Sequence, residues 1–166
     1  MRQVAFPRSA IPLAATITEA FHFAFAVGVV LVLLPLFGLE PGPMALLVFP
    51  LGLLEFVFIL GVSLLLSSAY VFFRDMKHLT EHGFYLWFHI CPALWLITRF
   101  PAQFRGFVEM NPFATLFEDL RSVLMYDQLP ATSVVHLAVL SVGAVLTLAI
   151  GFICFVKGSQ SFAKVA

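Results

Sequence analysis

Residues 45–73 read ALLVFPLGLLEFVFILGVSLLLSSAYVFF, with Glu55 as their single charged side chain. A helix needs about 20 apolar residues to cross a hydrocarbon core of roughly 30 Å. This stretch exceeds that length, so it predicts a membrane span, and the rest of the sequence is organised around it. On its N-terminal side lies GLEPGPM (38–44), short and rich in turn formers. On its C-terminal side lies RDMKHLTEH (74–82), the densest patch of charge in the chain.

Composition agrees with that reading. Only 11% of the 166 residues are charged and 61% are hydrophobic, with a mean hydropathy of +1.03. Soluble domains carry about 25% charged residues. Nine basic and nine acidic residues cancel, so no basic surplus marks a nucleic-acid surface. Cys91 and Cys154 sit in apolar runs with no CxxC or metal-ligand spacing. They are expected to be small buried hydrophobes.

Three further spans are predicted. The first covers about 10–37, interrupted by Glu19. It is longer than the apolar core of a signal peptide and is read as a retained span. The third, about 76–98, starts amphipathic and becomes apolar from Gly83, and the fourth, about 131–156, carries no charge and one histidine, His136. The fold class is therefore all-α integral membrane, a single transmembrane domain over 1–166. With four alternating spans, Arg2, Arg8, Arg74, Lys77, Lys157 and Lys164 share one side. Arg99, Arg105 and Arg121 fall on the other. The excess of Lys and Arg marks the cytoplasmic side, which places both termini and the turn at Arg74–Asp75 there. Asp75 is expected to cap the helix that starts at Met76.

Residues 99–130, RFPAQFRGFVEMNPFATLFEDLRSVLMYDQLP, are too polar to span and too apolar for an ordinary loop. Pro101 suits a first helical turn, and Asn111-Pro112 marks a cap and a second start. Phe113, Leu116, Phe117, Leu120, Val123 and Leu124 recur at helical spacing, with Glu118, Asp119, Arg121 and Ser122 assigned to the opposite side. Two short helices over about 101–127 are predicted, between the third and fourth spans. They form either a re-entrant pair dipping into the outer leaflet or a pair lying flat on it.

Ionisable groups inside the spans are costly and usually face protein or water. Glu19, His22 and Glu55 are such groups, and Glu55 and His22 are placed to approach one another across antiparallel helices. A proton-relay or substrate role stands beside the plainer reading of an interhelical polar pair. His78, Glu81 and His82 do not spell HExxH and show no third ligand, so no metal site is assigned. No GxxxxGK[ST] stretch is present, so ATP hydrolysis by this chain is not expected.

Three stretches in order, FPRSAIPLA (6–14), VFFRDMKHL (71–79) and NPFATLFEDLRSVLMYDQLP (111–130), resemble the membrane subunits of ABC-type polysaccharide exporters. Those are the O-antigen, capsule and teichoic-acid permeases. The resemblance implies a six-span permease in the bacterial inner membrane that pairs with an identical copy and with separate ABC ATPase subunits. It implies no catalytic residue and no cofactor on this chain, ATP and magnesium being held by the partner ATPase. The substrate would be a lipid-linked glycan. Phe6, Pro7, Arg8, Phe73, Arg74 and Asp75 would lie on the ATPase-coupling side. Asn111, Pro112, Glu118 and Arg121 would lie in the re-entrant helices of the outer gate. Family members carry about a hundred more N-terminal residues, so the chain matches the C-terminal two thirds of such a permease. A fragment, a misplaced start and a shortened paralogue all fit that difference. Alternatives in function are a non-transporting scaffold or remnant, a related exporter of lipids or drugs, and an embedded enzyme built on Glu19, His22 and Glu55. Under the resemblance, the dense aromatics, such as Phe21, Phe23, Phe25, Phe56, Phe58, Tyr85 and Trp87, would serve as sliding surfaces for sugar rings or simply as packing and lipid contacts.

Overall fold

A computed structural model of the protein describes residues 10–73, 75–91, 96–99, 101–109, 111–130 and 133–162. The described residues form helices and no strand. Helix α1 (Ala10–Leu33) tightens into a 3-10 turn over Leu34–Phe37. Gly38 then reverses the chain at φ 75°, a backbone conformation that glycine adopts without steric cost. A second 3-10 segment, Pro43–Leu47, runs directly into α2 (Val48–Phe72). Then follow α3 (Met76–Ile90), a short 3-10 turn at Ile97–Arg99, α4 (Ala102–Glu109), α5 (Pro112–Met125) and α6 (Ser133–Phe162). Three stretches are long and apolar enough to cross a membrane: Ala10–Phe37, Pro43–Tyr70 and Ser133–Lys157.

The main packing is between α2 and α6, and it is made by glycine. A Cβ on Gly61 would lie 2.5 Å from the Leu148 nitrogen, and one on Gly151 would lie 2.5 Å from the Gly61 carbonyl oxygen. Lipid tails are as apolar as leucine, so membrane helices associate by close backbone approach at small residues rather than by hydrophobic burial. Nearer the starts of both helices, Val48 and Leu51 join Leu140 in one buried cluster. Progress along α2 is therefore matched by progress along α6: the two helices are parallel.

Parallel packing has a topological consequence. The chain leaves α2 at its far end and must come back before Ser133. Helix α3 brings it part of the way, and Trp87 meets Phe113 of α5 with ring centroids 5.9 Å apart. The chain then rises to the level of Glu118, whose Oε1 accepts the Ile97 N–H at 3.2 Å. Helix α4 carries it back to Asn111, and α5 rises again. Phe113 packs edge-on against Phe58 of α2 at 4.8 Å, while Asp127 just past α5 reaches Met44. Both pairs are separated by 14 positions, about 21 Å of helix, so α5 lies lengthwise and antiparallel along the first half of α2. Its Leu116, Leu120 and Val123 complete the buried cluster of Val48, Leu51 and Leu140.

Several boundaries differ from the sequence expectation. The expected third span, 76–98, is helical only to Ile90; Cys91 is extended at φ −75°, ψ 132°. Proline at 92 explains this, because it disfavours the helical conformation at the residue before it. A helix of 15 residues is about 22 Å long, short of the hydrocarbon thickness. The fourth apolar stretch, Ser133–Lys157, agrees with the expected span of about 131–156, and its helix runs on to Phe162. Asp75 occupies the N-cap position of α3, but its backbone is already helical and its side chain makes no capping bond. Cys91 is buried as expected, whereas Cys154 is exposed. Along α1 the residues Ile17, Phe21, Phe25, Val29 and Val32 form an exposed apolar stripe, the surface of a helix that meets lipid or other helices.

Candidate functional site

Two places gather the polar side chains that the sequence singles out. The first is a groove of about 700 Å³ between α1 and α2, lined by Glu19, His22, Glu55, Thr16, Phe23 and Phe56 among others. Glu19 and His22 lie one turn apart on α1, and His22 Nδ1 is 3.5 Å from Glu19 Oε2. Glu55 enters the same groove from α2. The three groups are thus brought to one groove, as their positions in the sequence imply. Among the described residues, however, the close contact of His22 is with Glu19 of its own helix rather than with Glu55. Thr16 is buried and donates its hydroxyl to the Pro12 carbonyl at 2.8 Å, which satisfies it within its own helix.

The second place is α5. Asn111 caps it: the backbone there is extended, and its side-chain oxygen accepts the Phe113 N–H at 3.1 Å, with Pro112 in the first turn. Asn-Pro is the pair that physical chemistry favours here, because asparagine replaces a missing acceptor and proline lacks the N–H that would go unpaired. Glu118 and Arg121 pair at 2.9 Å. Because Glu118 Oε1 also receives the Ile97 N–H, this carboxylate ties the turn before α4 to the middle of α5.

Two aspartates of this region do more than the sequence signalled. Asp119 was assigned to the polar side with Glu118 and Arg121. Instead it is 3% exposed and its Oδ1 accepts the hydroxyl of Ser133, itself 1% exposed. Its second oxygen, Oδ2, has no hydrogen-bond partner among the described residues. Burial pushes the Asp119 carboxyl above the usual carboxylate range, while the Ser133 bond and His136 draw it back and Glu118 adds to the rise. Asp127 takes φ 51°, the left-handed region, and its Oδ1 accepts the Met44 N–H at 2.8 Å. The signal for Asp119 was available: it is three residues after Leu116 and four before Val123, on the buried stripe. Asp127 offered none, since its partner lies across the fold in the 38–44 loop.

Of the residues expected on the coupling side, Phe73 lies about half the length of α2 beyond the level at which Phe58 meets Phe113 of α5. Phe73 is exposed at the far end of α2, and Asp75 is exposed at the start of α3. Phe6, Pro7, Arg8 and Arg74 lie outside the described residues. His78 stands 3.9 Å from Glu81 on the exposed start of α3.

The chain is 27% identical over 166 residues to an O-antigen export system permease protein RfbA of Klebsiella pneumoniae, covering 99% of this chain and 63% of the relative. A permease of the same description from Myxococcus xanthus is 25% identical over 145 residues, covering 86% of this chain and 56% of the relative. The chain thus spans less than two thirds of the length of these curated relatives. No solved structure matches it. A family profile described as ABC-2 type transporter matches residues 1–125. With long apolar helices packed through glycine and most of its length matched by that profile, this multi-pass membrane chain belongs to the ABC-2 type transporter family.

Proposed function

We propose that the chain is the permease subunit of an ATP-driven exporter that moves a lipid-linked polysaccharide across the bacterial inner membrane. The observation that carries this reading is its membership of the ABC-2 type transporter family together with relatives described as O-antigen export permeases. ATP binding and hydrolysis belong to a separate ABC ATPase, since the chain has no phosphate-cradling GxxxxGK[ST] loop. The chain works as a pair of identical copies, each supplying one transmembrane domain over 1–166.

In this reading the membrane is crossed four times. Three crossings are α1, α2 and α6. The other is the return path that begins with α3, and parallel packing of α2 with α6 supports it. Helices α4 and α5 are the re-entrant pair: the chain drops back through α4 and rises along α5 beside the first half of α2. The placement of Lys and Arg puts both termini, with Phe6, Pro7, Arg8, Phe73, Arg74 and Asp75, on the cytoplasmic side, against the ATPase. Asn111, Pro112, Glu118 and Arg121 then shape the outer gate. Glu19, His22 and Glu55 face the permease interior, where ionisable groups inside a membrane normally reside.

The test is deletion of the gene in its native bacterium. The expected result is loss of the surface polysaccharide with build-up of its lipid-linked precursor inside the cell. Unchanged surface polysaccharide would overturn the reading and favour a non-transporting scaffold.

A further inference from the structure

The segment from Asp119 to Asp127 carries two carboxylates to the starts of two parallel spanning helices. Asp127 binds the Met44 N–H at 2.8 Å, at the beginning of the helical run that leads into α2. The residue preceding that run, Gly42, has no side chain with which to cap it. Asp127 supplies the missing acceptor from across the fold. Asp119 reaches the start of α6 differently, accepting the side-chain hydroxyl of Ser133, the first described residue of that helix. Only Asp127 accepts a helix-start N–H, where unpaired donors and the helix dipole favour an acceptor.

The two attachments differ in kind. The Asp119–Ser133 contact is buried, both residues being almost wholly shielded. Breaking it would leave two buried polar groups unpaired, which is costly. The Asp127–Met44 contact is exposed. It is held by a non-glycine residue in the left-handed region, a conformation that aspartate tolerates at modest cost. Space there is also exact in the sense of a socket: a Cβ on Gly42 would lie 2.1 Å from the Asp127 Cγ. Water can replace this bond when it opens.

We propose that Asp119 and Asp127 are positioning residues of the gate, Asp119 a fixed hinge that holds α5 to α6 and Asp127 a releasable latch that holds α5 to the start of α2. This rests on the export reading only in calling α5 part of a gate; the two attachments stand on geometry alone. Opening frees the 38–44 loop from Asp127 while Asp119 holds the middle of α5 to the start of α6. The loop and α5 then part while the glycine contact between α2 and α6 stays closed.

The experiment uses the full chain in native membranes, in a Cys91→Ala/Cys154→Ala background, with Gly42→Cys and Asp127→Cys introduced together. A Cβ at position 42 would sit within about 3.6 Å of the Cβ at 127, close enough for a disulfide. The expected results are rapid cross-linking under mild oxidation, loss of export in the cross-linked form, and recovery on reduction to the level that Asp127→Cys alone supports. Adding Asp119→Ala should lower the cross-linking yield about five-fold, the scale set by loss of one cap-type bond, and Asp119→Asn should restore it. Cross-linking no better than a Gly42→Cys/Gln128→Cys control would overturn the latch. Undiminished export in the fully cross-linked form would overturn its release. A yield indifferent to Asp119→Ala would overturn the hinge. Absence of export by the Cys91→Ala/Cys154→Ala parent, in which Asp127 is intact, would overturn the export reading and the gate with it, and leave only a static double attachment.

Discussion

Asp119 is where residue-scale physics decides between surface and core. Three residues after Leu116 and four before Val123, it shares their face of α5, and its neighbours from α6 are Ser133 and His136, with Glu118 beside it on its own helix. Because burial raises its folded pKa above the unfolded value of about 3.9, the folded state binds this proton more tightly than the unfolded state. Its contribution to stability is therefore fully present below that unfolded value and is lost as pH rises through the raised folded value. In detergent, the thermal unfolding temperature should fall as pH is raised from about 4 towards neutrality. Asp119→Asn, which keeps an acceptor for Ser133 without a titrating group, should flatten that profile. An unchanged pH profile in the variant would mean that Asp119 is ionised at no cost. Asn111 was legible from sequence because a cap acts within two residues of itself. The burial of Asp119 could be read from the stripe it shares with Leu116 and Val123, but the partners of Asp119 and Asp127 could not, because other elements supply them.

At the scale of elements, the long helices could be read from hydropathy, whereas their pairing could not. Gly28, Gly61, Gly143 and Gly151 all interrupt apolar runs, yet a Cβ would meet open space at Gly28 and Gly143 and backbone at Gly61 and Gly151. Nothing local distinguishes them, since the difference is made by a helix distant in sequence. Gly61→Ala should force α2 and α6 apart and destabilise the protein by about 1–3 kcal/mol, the usual range for overpacking. Gly143→Ala should be neutral or slightly stabilising, because alanine is the better helix former. Thermal unfolding in detergent measures both, and equal effects at the two positions would contradict the pairing. The end of α3 shows the converse lesson. Its apolar composition continues past Ile90, so hydropathy extends the span to 98, but proline at 92 acts on the backbone whatever the composition.

For the whole molecule, composition announces a membrane chain, and the order of its motifs points to an ABC exporter permease, for which the profile match shows the ABC-2 type transporter family. What composition leaves out is the broken return between α2 and α6, because it is made by three short helices whose level is set by contacts: Trp87 and Phe58 on Phe113, Ile97 on Glu118, Met44 on Asp127. The account makes this chain one part of a machine whose energy comes from elsewhere. The most direct test is purification of the affinity-tagged protein from its native membranes in mild detergent, with identification of what accompanies it. The account predicts an ABC ATPase in stoichiometric amount, released when the coupling side is disrupted by Phe73→Ala together with Arg74→Ala. Recovery of the intact chain with no ATPase, under conditions that preserve other transporter complexes of the same cells, would contradict it.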